Sequence, residues 1–190
     1  MTESNNAAPK RGVPIWAQVV VFALLVSLLV LVGIGLVRAQ QGTVQPGERI
    51  PDFTLQLYSG YEHEGRTEVK LSDLSGKVVV INFWASWCKP CEQEAAELEK
   101  AWKEYAPGGQ VVFLGVDYVD TEPEARIYLQ KFGITFPNGP DLGTRISQMF
   151  RIKGVPETYF IDQEGVLRYV KVGPFTSLDE IKIQIEQLLP

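Results

Sequence analysis

The stretch Val78-Val-Val-Ile-Asn-Phe-Trp84, followed by Ala85-Ser-Trp-Cys-Lys-Pro-Cys91, decides the fold. Seven residues without polar alternation read as a strand buried on both faces. Ala85 to Trp87 then turn the chain, and a helical pattern begins at the two cysteines. Pro90 sits in the first turn, where a missing N–H costs nothing. A dithiol therefore lies at a helix N-terminus, facing unpaired N–H groups and the positive end of the dipole. A thiol in that position ionises readily and attacks disulfides. Cys88 and Cys91 are the only cysteines in the chain. A bridge between neighbours three apart closes too small a loop to stabilise much, so the pair points to reactivity.

Working outward, residues on to Tyr105 continue the helix. Ala95, Leu98, Ala101, Trp102 and Tyr105 form its apolar stripe, while Glu92, Glu99, Lys100 and Lys103 are expected to face water. Pro107-Gly108-Gly109 ends it, and Val111 to Val116 is a second buried strand. Strand, helix and strand at this spacing form a βαβ unit with parallel strands. Upstream, Phe53 to Leu57 alternates like a half-buried strand and Glu68 to Leu71 returns beside it. Downstream, Glu122 to Phe132 is a helix, Phe136 to Pro140 a turn-rich loop, and Arg145 to Phe150 a short helix. Glu157 to Ile161 and Val166 to Val172 form a hairpin. Ser177-Leu-Asp-Glu180 is a capping box that opens a last helix.

Ile15 to Val37 is apolar, carries no charge and is long enough to span a bilayer core. Lys10 and Arg11 precede it and Arg38 follows, which places the N-terminus in the cytoplasm and exports the rest. An uncleaved signal anchor fits better than a cleaved signal peptide, whose apolar region is usually 7–15 residues long. The expected organisation is a cytoplasmic tail over 1–14, a transmembrane anchor over 15–37, a linker over 38–48 and one domain over 49–190. Removing Lys10, Arg11, Arg38 and Glu3 from the totals of 18 basic and 23 acidic residues leaves 15 and 22, a net charge of −7. That argues against nucleic acid or anionic lipid as a partner of the domain.

Three residues of helix turn about 300°, so the sulfurs of Cys88 and Cys91 can meet. Cys88, at the open end, is the candidate attacking thiol, and Cys91, one turn inside, the resolving thiol. Lys89 adds a positive charge beside Cys88, and Pro90 stiffens the turn. Trp84 and Trp87 flank the site either as a docking surface or as core. Zinc needs four ligands. The single histidine, His63, reads as a surface residue in a polar loop. Glu92 stands where a haem-attachment motif would carry histidine. Glu94, three residues beyond Cys91, is either a solvated helix glutamate or a proton acceptor for Cys91. Pro156 in Val155-Pro156-Glu157 opens a strand; taken alone it reads as a trans turn proline.

Four segments together resemble the thioredoxin superfamily: Pro51-Asp-Phe53, Leu71 to Lys77, Val80 to Cys91, and Gly154 to Asp162. More closely, they resemble its membrane-anchored, exported branch, the ResA, TlpA and CcmG (DsbE) type thiol–disulfide oxidoreductases. The resemblance covers about residues 46–190. It implies a thioredoxin-like three-layer α/β fold, with a central mixed sheet and helices on both faces, behind an N-terminal transmembrane helix. It implies that Pro156 is cis and faces the dithiol, that Glu94 acts in catalysis, and that the helix near 122–133 is the insert of this branch. Client contacts are expected at Trp84, Trp87, Lys89, Pro90, Val155 and Glu157. The implied reaction is reduction of the CxxCH disulfide of apocytochrome c before haem attachment, with electrons from a membrane conduit of the CcdA or DsbD kind. The Cys88–Cys91 disulfide is then the only redox group, with no metal or other cofactor, and the protein is expected as a monomer. Two departures stand out. Asn82 replaces the buried Asp of plain thioredoxins, leaving Glu94 as the base, and the loop from Tyr58 to Thr67 is long. A general exported reductase or oxidase, or a redox-responsive binding module, are the competing readings.

Overall fold

The computed structural model describes residues 14–40 and 44–190. The chain divides into two units, Met1–Gly42 and Thr43–Pro190. The first contributes helix α1 (Ile15–Gln40), which continues three residues past the expected end of the span. Its segment Ile15–Gly35 is long and apolar enough to cross a membrane. The large apolar side chains from Ile15 to Ile34 are exposed on every side of this segment, which is consistent with a membrane anchor. The basic residues Lys10 and Arg11 lie outside the described residues, as do 41–43 of the expected linker.

The second unit holds two sheets. Strands β1 (Thr54–Gln56) and β2 (Glu68–Lys70) form a separate antiparallel hairpin. The main sheet contains β3 (Val78–Trp84), β4 (Val111–Asp117), β5 (Asn138–Pro140), β6 (Glu157–Ile161) and β7 (Leu167–Val172). Its order is β5-β4-β3-β6-β7. β3 and β4 are parallel, as the intervening helix α2 (Lys89–Tyr105) requires, and β4 and β5 are parallel too. β6 runs antiparallel to both β3 and β7. The first two strands were expected within one mixed sheet; instead they stand apart from it. The segment Phe136 to Pro140, expected as a loop, supplies edge strand β5. Its prolines are tolerated because an edge strand need not donate on both sides.

Period-two alternation divides β3 between two cores. Val78, Val80 and Trp84 face α2, α3 (Glu122–Phe132) and α5 (Leu178–Glu186), with Leu98, Phe113, Leu129, Phe160 and Ile185. Val79, Ile81 and Phe83 face α4 (Arg145–Phe150) and the β1–β2 hairpin, with Phe150, Tyr159 and Leu55. Each fully buried side chain of this kind contributes roughly 1.5–3 kcal/mol of burial. The same alternation puts Asn82, the polar residue of β3, on the α2 face.

The last helix starts as expected, with the Ser177 hydroxyl accepting from Glu180 N–H at 3.4 Å. The expected linker is partly docked: Gly47 N–H donates to the Leu167 carbonyl at 2.7 Å and Leu167 N–H to that of Glu48 at 2.9 Å. Two polar residues are buried against expectation. Glu99 accepts from Thr135 N–H at 2.8 Å and Thr135 Oγ1 at 2.6 Å, bonds that no sequence period foretells. His63 is also buried, its Nε2 3.8 Å from Glu64 but without a hydrogen-bond partner among the described residues, and burial holds its imidazole below the ordinary value.

Candidate active site

Cys88 is the N-cap of α2, with extended backbone, and its sulfur accepts from Cys91 N–H at 3.1 Å. The side chain thus satisfies one of the orphan N–H groups of the helix start, as a capping residue does. Cys88 and Cys91 are joined as a disulfide, with Cα atoms 5.3 Å apart. Cys88 is only 3 % exposed and Cys91 fully buried. The expected gradient is present, but Cys88 offers far less surface than its position at the helix start suggested. It packs into the core cluster on the α2 face of the sheet.

The two tryptophans part company. Trp87 is 58 % exposed, and its indole N–H donates to the Val119 carbonyl at 3.0 Å. Trp84 is core: it stacks on Tyr128 with ring centroids 4.6 Å apart, and its indole donates to Asn138 Oδ1 at 2.9 Å. The expectation of Trp84 as a client contact is corrected on this ground, since its face and its N–H are both engaged inside. Lys89 is exposed, but its ammonium sits 3.0 Å from Glu92, which offsets its field at Cys88. Glu92 also takes Lys131 at 3.3 Å.

The Val155–Pro156 peptide is cis. Pro156 lines a groove of about 250 Å³ with Pro90, Lys153, Gly154, Val155, Glu157 and the segment Val172–Pro174. The groove thus joins the helix carrying the dithiol to the strand-entry proline. Val172 to Pro174 were missed in the sequence. They follow from register: Glu157 pairs with Val172, and Gly173 N–H donates to the Pro156 carbonyl at 2.9 Å. Glu157 itself is buried and turned inward. Its oxygens accept from Lys153 N–H at 2.7 Å and from the Tyr159 hydroxyl at 2.6 Å. It therefore braces the cis-proline loop and is not free to bind a client through its carboxylate. A larger cleft of about 470 Å³, lined by Arg49, Lys77 and Asp162 among others, lies at the opposite end of β3 and is lined by no residue of the dithiol helix.

Glu94 lies on the buried face of α2, one turn beyond Cys91. Its Oε1 accepts from Asn82 Nδ2 at 2.7 Å and its Oε2 from Phe175 N–H at 3.0 Å. Asn82 also donates to Thr158 Oγ1 at 3.0 Å. Burial pushes the Glu94 carboxyl up to about 7, against the two donors and the Lys171 charge, which favour the ionised form. Asn82, which cannot take a proton, thus serves as a donor that holds Glu94 in place.

This shift fixes a sign. The unfolded chain loses the Glu94 proton near 4.5 and the folded chain near 7, so between those values the folded chain binds more protons. Stability falls as pH rises through that window and does not change further above it. Asp117, whose carboxyl burial also raises to about 7, acts in the same direction. Glu94→Gln should flatten the dependence of the urea midpoint on pH between 4.5 and 7 by up to ~1.4 kcal/mol per pH unit. An unchanged slope would show that Glu94 titrates normally.

A disulfide capping a helix, a buried carboxyl titrating near neutrality and a cis-proline groove define a thiol-exchange site on a thioredoxin-like fold. The comparisons with known proteins agree. The chain belongs to the AhpC/TSA family, whose model matches residues 46–170. It is similar to the thioredoxin-like protein YneN of Bacillus subtilis, 35 % identical over 147 residues, covering 77 % of this chain and 79 % of that one. It is similar to the thiol-disulfide oxidoreductase ResA of Geobacillus kaustophilus, 30 % identical over 171 residues, covering 88 % and 94 %. A Chlorobium tepidum structure assigned to the thiol:disulfide interchange protein DsbE matches with a TM-score of 0.68 at 26 % identity, covering 77 % of this chain and 99 % of that one. The protein is a thiol–disulfide oxidoreductase of the ResA/DsbE type.

Proposed function

We propose that this protein is an exported, membrane-anchored reductant that opens the CxxCH disulfide of apocytochrome c before haem attachment. In this reading α1 anchors the chain with its N-terminus in the cytoplasm, and the domain works outside the membrane. Electrons come from a membrane conduit of the CcdA or DsbD kind. The observation that carries the chemistry is the Cys88 sulfur at the head of α2, accepting from Cys91 N–H. The same N–H stabilises a thiolate when the bridge is open.

The thiolate of Cys88 attacks one sulfur of the client disulfide. A bond forms between Cys88 and the client, and the second client sulfur leaves as a thiolate. Cys91 then gives its proton to the Glu94 carboxylate and attacks Cys88 Sγ. The mixed disulfide breaks, the client sulfur that Cys88 had attacked leaves as the second thiolate, and the Cys88–Cys91 bridge is restored. Two electrons pass to the client, whose two thiolates take up protons from Glu94 and water. The groove along Pro90, Val155, Pro156 and Val172 to Pro174 receives the client backbone, and the exposed Trp87 offers an apolar contact beside the dithiol.

The test uses the reduced full chain in detergent with a peptide whose CxxCH motif is closed as a disulfide. The expected result is stoichiometric reduction of the peptide and a reduction potential near that of thioredoxin, roughly −270 mV. A potential close to roughly −120 mV, that of a strong oxidant, would reverse the direction and overturn the reading.

A further inference from the structure

Asp117 ends β4, pairs in register with Trp84, and is 2 % exposed. Its Oδ2 accepts from the Tyr58 hydroxyl at 2.7 Å, while its Oδ1 is buried without a hydrogen-bond partner among the described residues. Asp120, three residues further on, puts its negative charge beside the Asp117 carboxyl and raises it. Two carboxylates so placed cannot both be ionised without strong repulsion, so one proton belongs between them. Asp120 already accepts at both oxygens, from Ser86 N–H at 2.6 Å and from Thr121 N–H at 2.8 Å. The proton therefore sits on Asp117, whose Oδ1 otherwise has nothing to bond.

The consequence reaches the dithiol. Ser86 is two residues before Cys88. The segment 118–120 holds the segment 84–87 by three bonds: Tyr118 N–H to the Trp84 carbonyl at 2.8 Å, Trp87 Nε1–H to the Val119 carbonyl, and Ser86 N–H to Asp120. Val119 has a φ of +48°, a left-handed conformation that a β-branched residue rarely adopts. Such strain persists only where the surroundings over-determine it. Here it directs the Val119 carbonyl at the indole of Trp87.

We propose that Asp117 is a positioning residue for the dithiol: it donates a proton from Oδ1 to Asp120, and through that bond holds Asp120 on Ser86 and Trp87 on Val119. The proposal rests on the reading of Cys88 and Cys91 as the exchanging pair. When the proton leaves to water, two buried negative charges face each other. Asp120 withdraws from Ser86, and the Trp87 side of the client surface loosens. Tyr58 donates to Asp117, Asp141 adds a further negative charge, and its carboxylate is engaged by Ile146 and Ser147 N–H. On α3, Arg126 lies 5.5 Å from the Tyr58 ring centroid and is paired with Glu122 at 2.8 Å. Burial and Asp120 raise the Asp117 carboxyl to about 7, so the switch falls near neutrality.

The experiment follows the Trp87 indole N–H by nitrogen-15 NMR on the oxidised full chain in detergent, assigned with Trp87→Phe. In the wild type the signal should move from a bonded to an unbonded position with a midpoint near pH 7. Asp117→Asn, whose amide donates permanently to Asp120, should hold the bonded position from pH 5.5 to 8.5. Asp117→Ala, which offers no donor, should hold the unbonded position throughout. A merely structural Asp117 would move both variants the same way, and that outcome overturns the proposal. If neither variant folds, the carbon-13 carboxyl signal of Asp117 in the wild type decides: a midpoint at or below about 4, the ordinary Asp value, refutes it. None of these readouts needs a client, so an oxidising potential would sink the reductant reading while leaving this result intact.

Discussion

Cys91→Ala should convert the protein from a catalyst into a trap. The variant keeps the backbone N–H of residue 91, so the Cys88 sulfur retains the donor seen at 3.1 Å. Attack on a client therefore still proceeds, but nothing resolves the mixed disulfide. Covalent adducts should accumulate to one client per chain, visible on non-reducing gels and reversed by dithiothreitol. Turnover should fall by at least about 10³-fold, as when one member of a catalytic unit is removed. Cys88→Ala should lose turnover as completely but form no adduct, because Cys91 is fully buried behind it. Equal trapping by the two variants would mean that the roles of the sulfurs are not divided as assigned. Identification of the trapped client would also separate an apocytochrome reductant from a reductase of other exported proteins. The absence of any adduct would favour a binding module.

The central strand, the helix after it and the dithiol between them were legible because their signals are local. An apolar run without alternation, a first-turn proline and a Pro-Gly-Gly terminator mark β3 and α2 wherever the chain folds. The cis state of Pro156 was not local. It was reached through resemblance, because frequency alone favours trans. Burial of single polar residues was the least legible. Glu99, Glu157 and His63 look like solvent-facing groups in sequence, and their partners Thr135, Lys153, Tyr159 and Arg66 are set by tertiary contacts or turn geometry. Trp84 and Trp87, three apart, carry the same side chain, but Trp84 ends β3 and is buried while Trp87 lies in the turn before α2 and is exposed. Asp117 gave no motif at all. The available hint was that Val111 to Val116, a strand buried on both faces, ends on a carboxylate, a residue that is rarely buried without a partner or a function.

Gly139→Ala is expected to cost more stability than any other single methyl added to the domain. Gly139 pairs with Val116 at the edge of the main sheet. A Cβ on it would stand 1.7 Å from the Gln56 carbonyl oxygen and 2.8 Å from its carbonyl carbon. These are backbone atoms of β1, fixed by the hairpin, and they cannot rotate away. The close approach is what seats the separate β1–β2 hairpin on the main sheet, next to the bond from Tyr58 N–H to the Asn138 carbonyl at 2.9 Å. Accommodating the methyl means lifting the hairpin, which uncovers Leu55 and Val69 and pulls Tyr58 away from Asp117. A loss above about 4 kcal/mol is expected, in the range reserved for overpacking and broken networks together. For a domain of this size that lowers the melting temperature by roughly 10 °C or more. Gly115→Ala is the control. Its Cβ would also meet an atom at 1.7 Å, but that atom is the side-chain oxygen of Asn138, which can swing aside. Its cost should be about half as large and should appear as loss of the Trp84 indole bond that Asn138 accepts. Near-ultraviolet circular dichroism of the two variants on heating gives the comparison. If Gly139→Ala melts within about 2 °C of the wild type, less than 1 kcal/mol has been lost. The hairpin then does not sit where its backbone contact with β5 places it, and the link from Tyr58 to the dithiol loop goes with it.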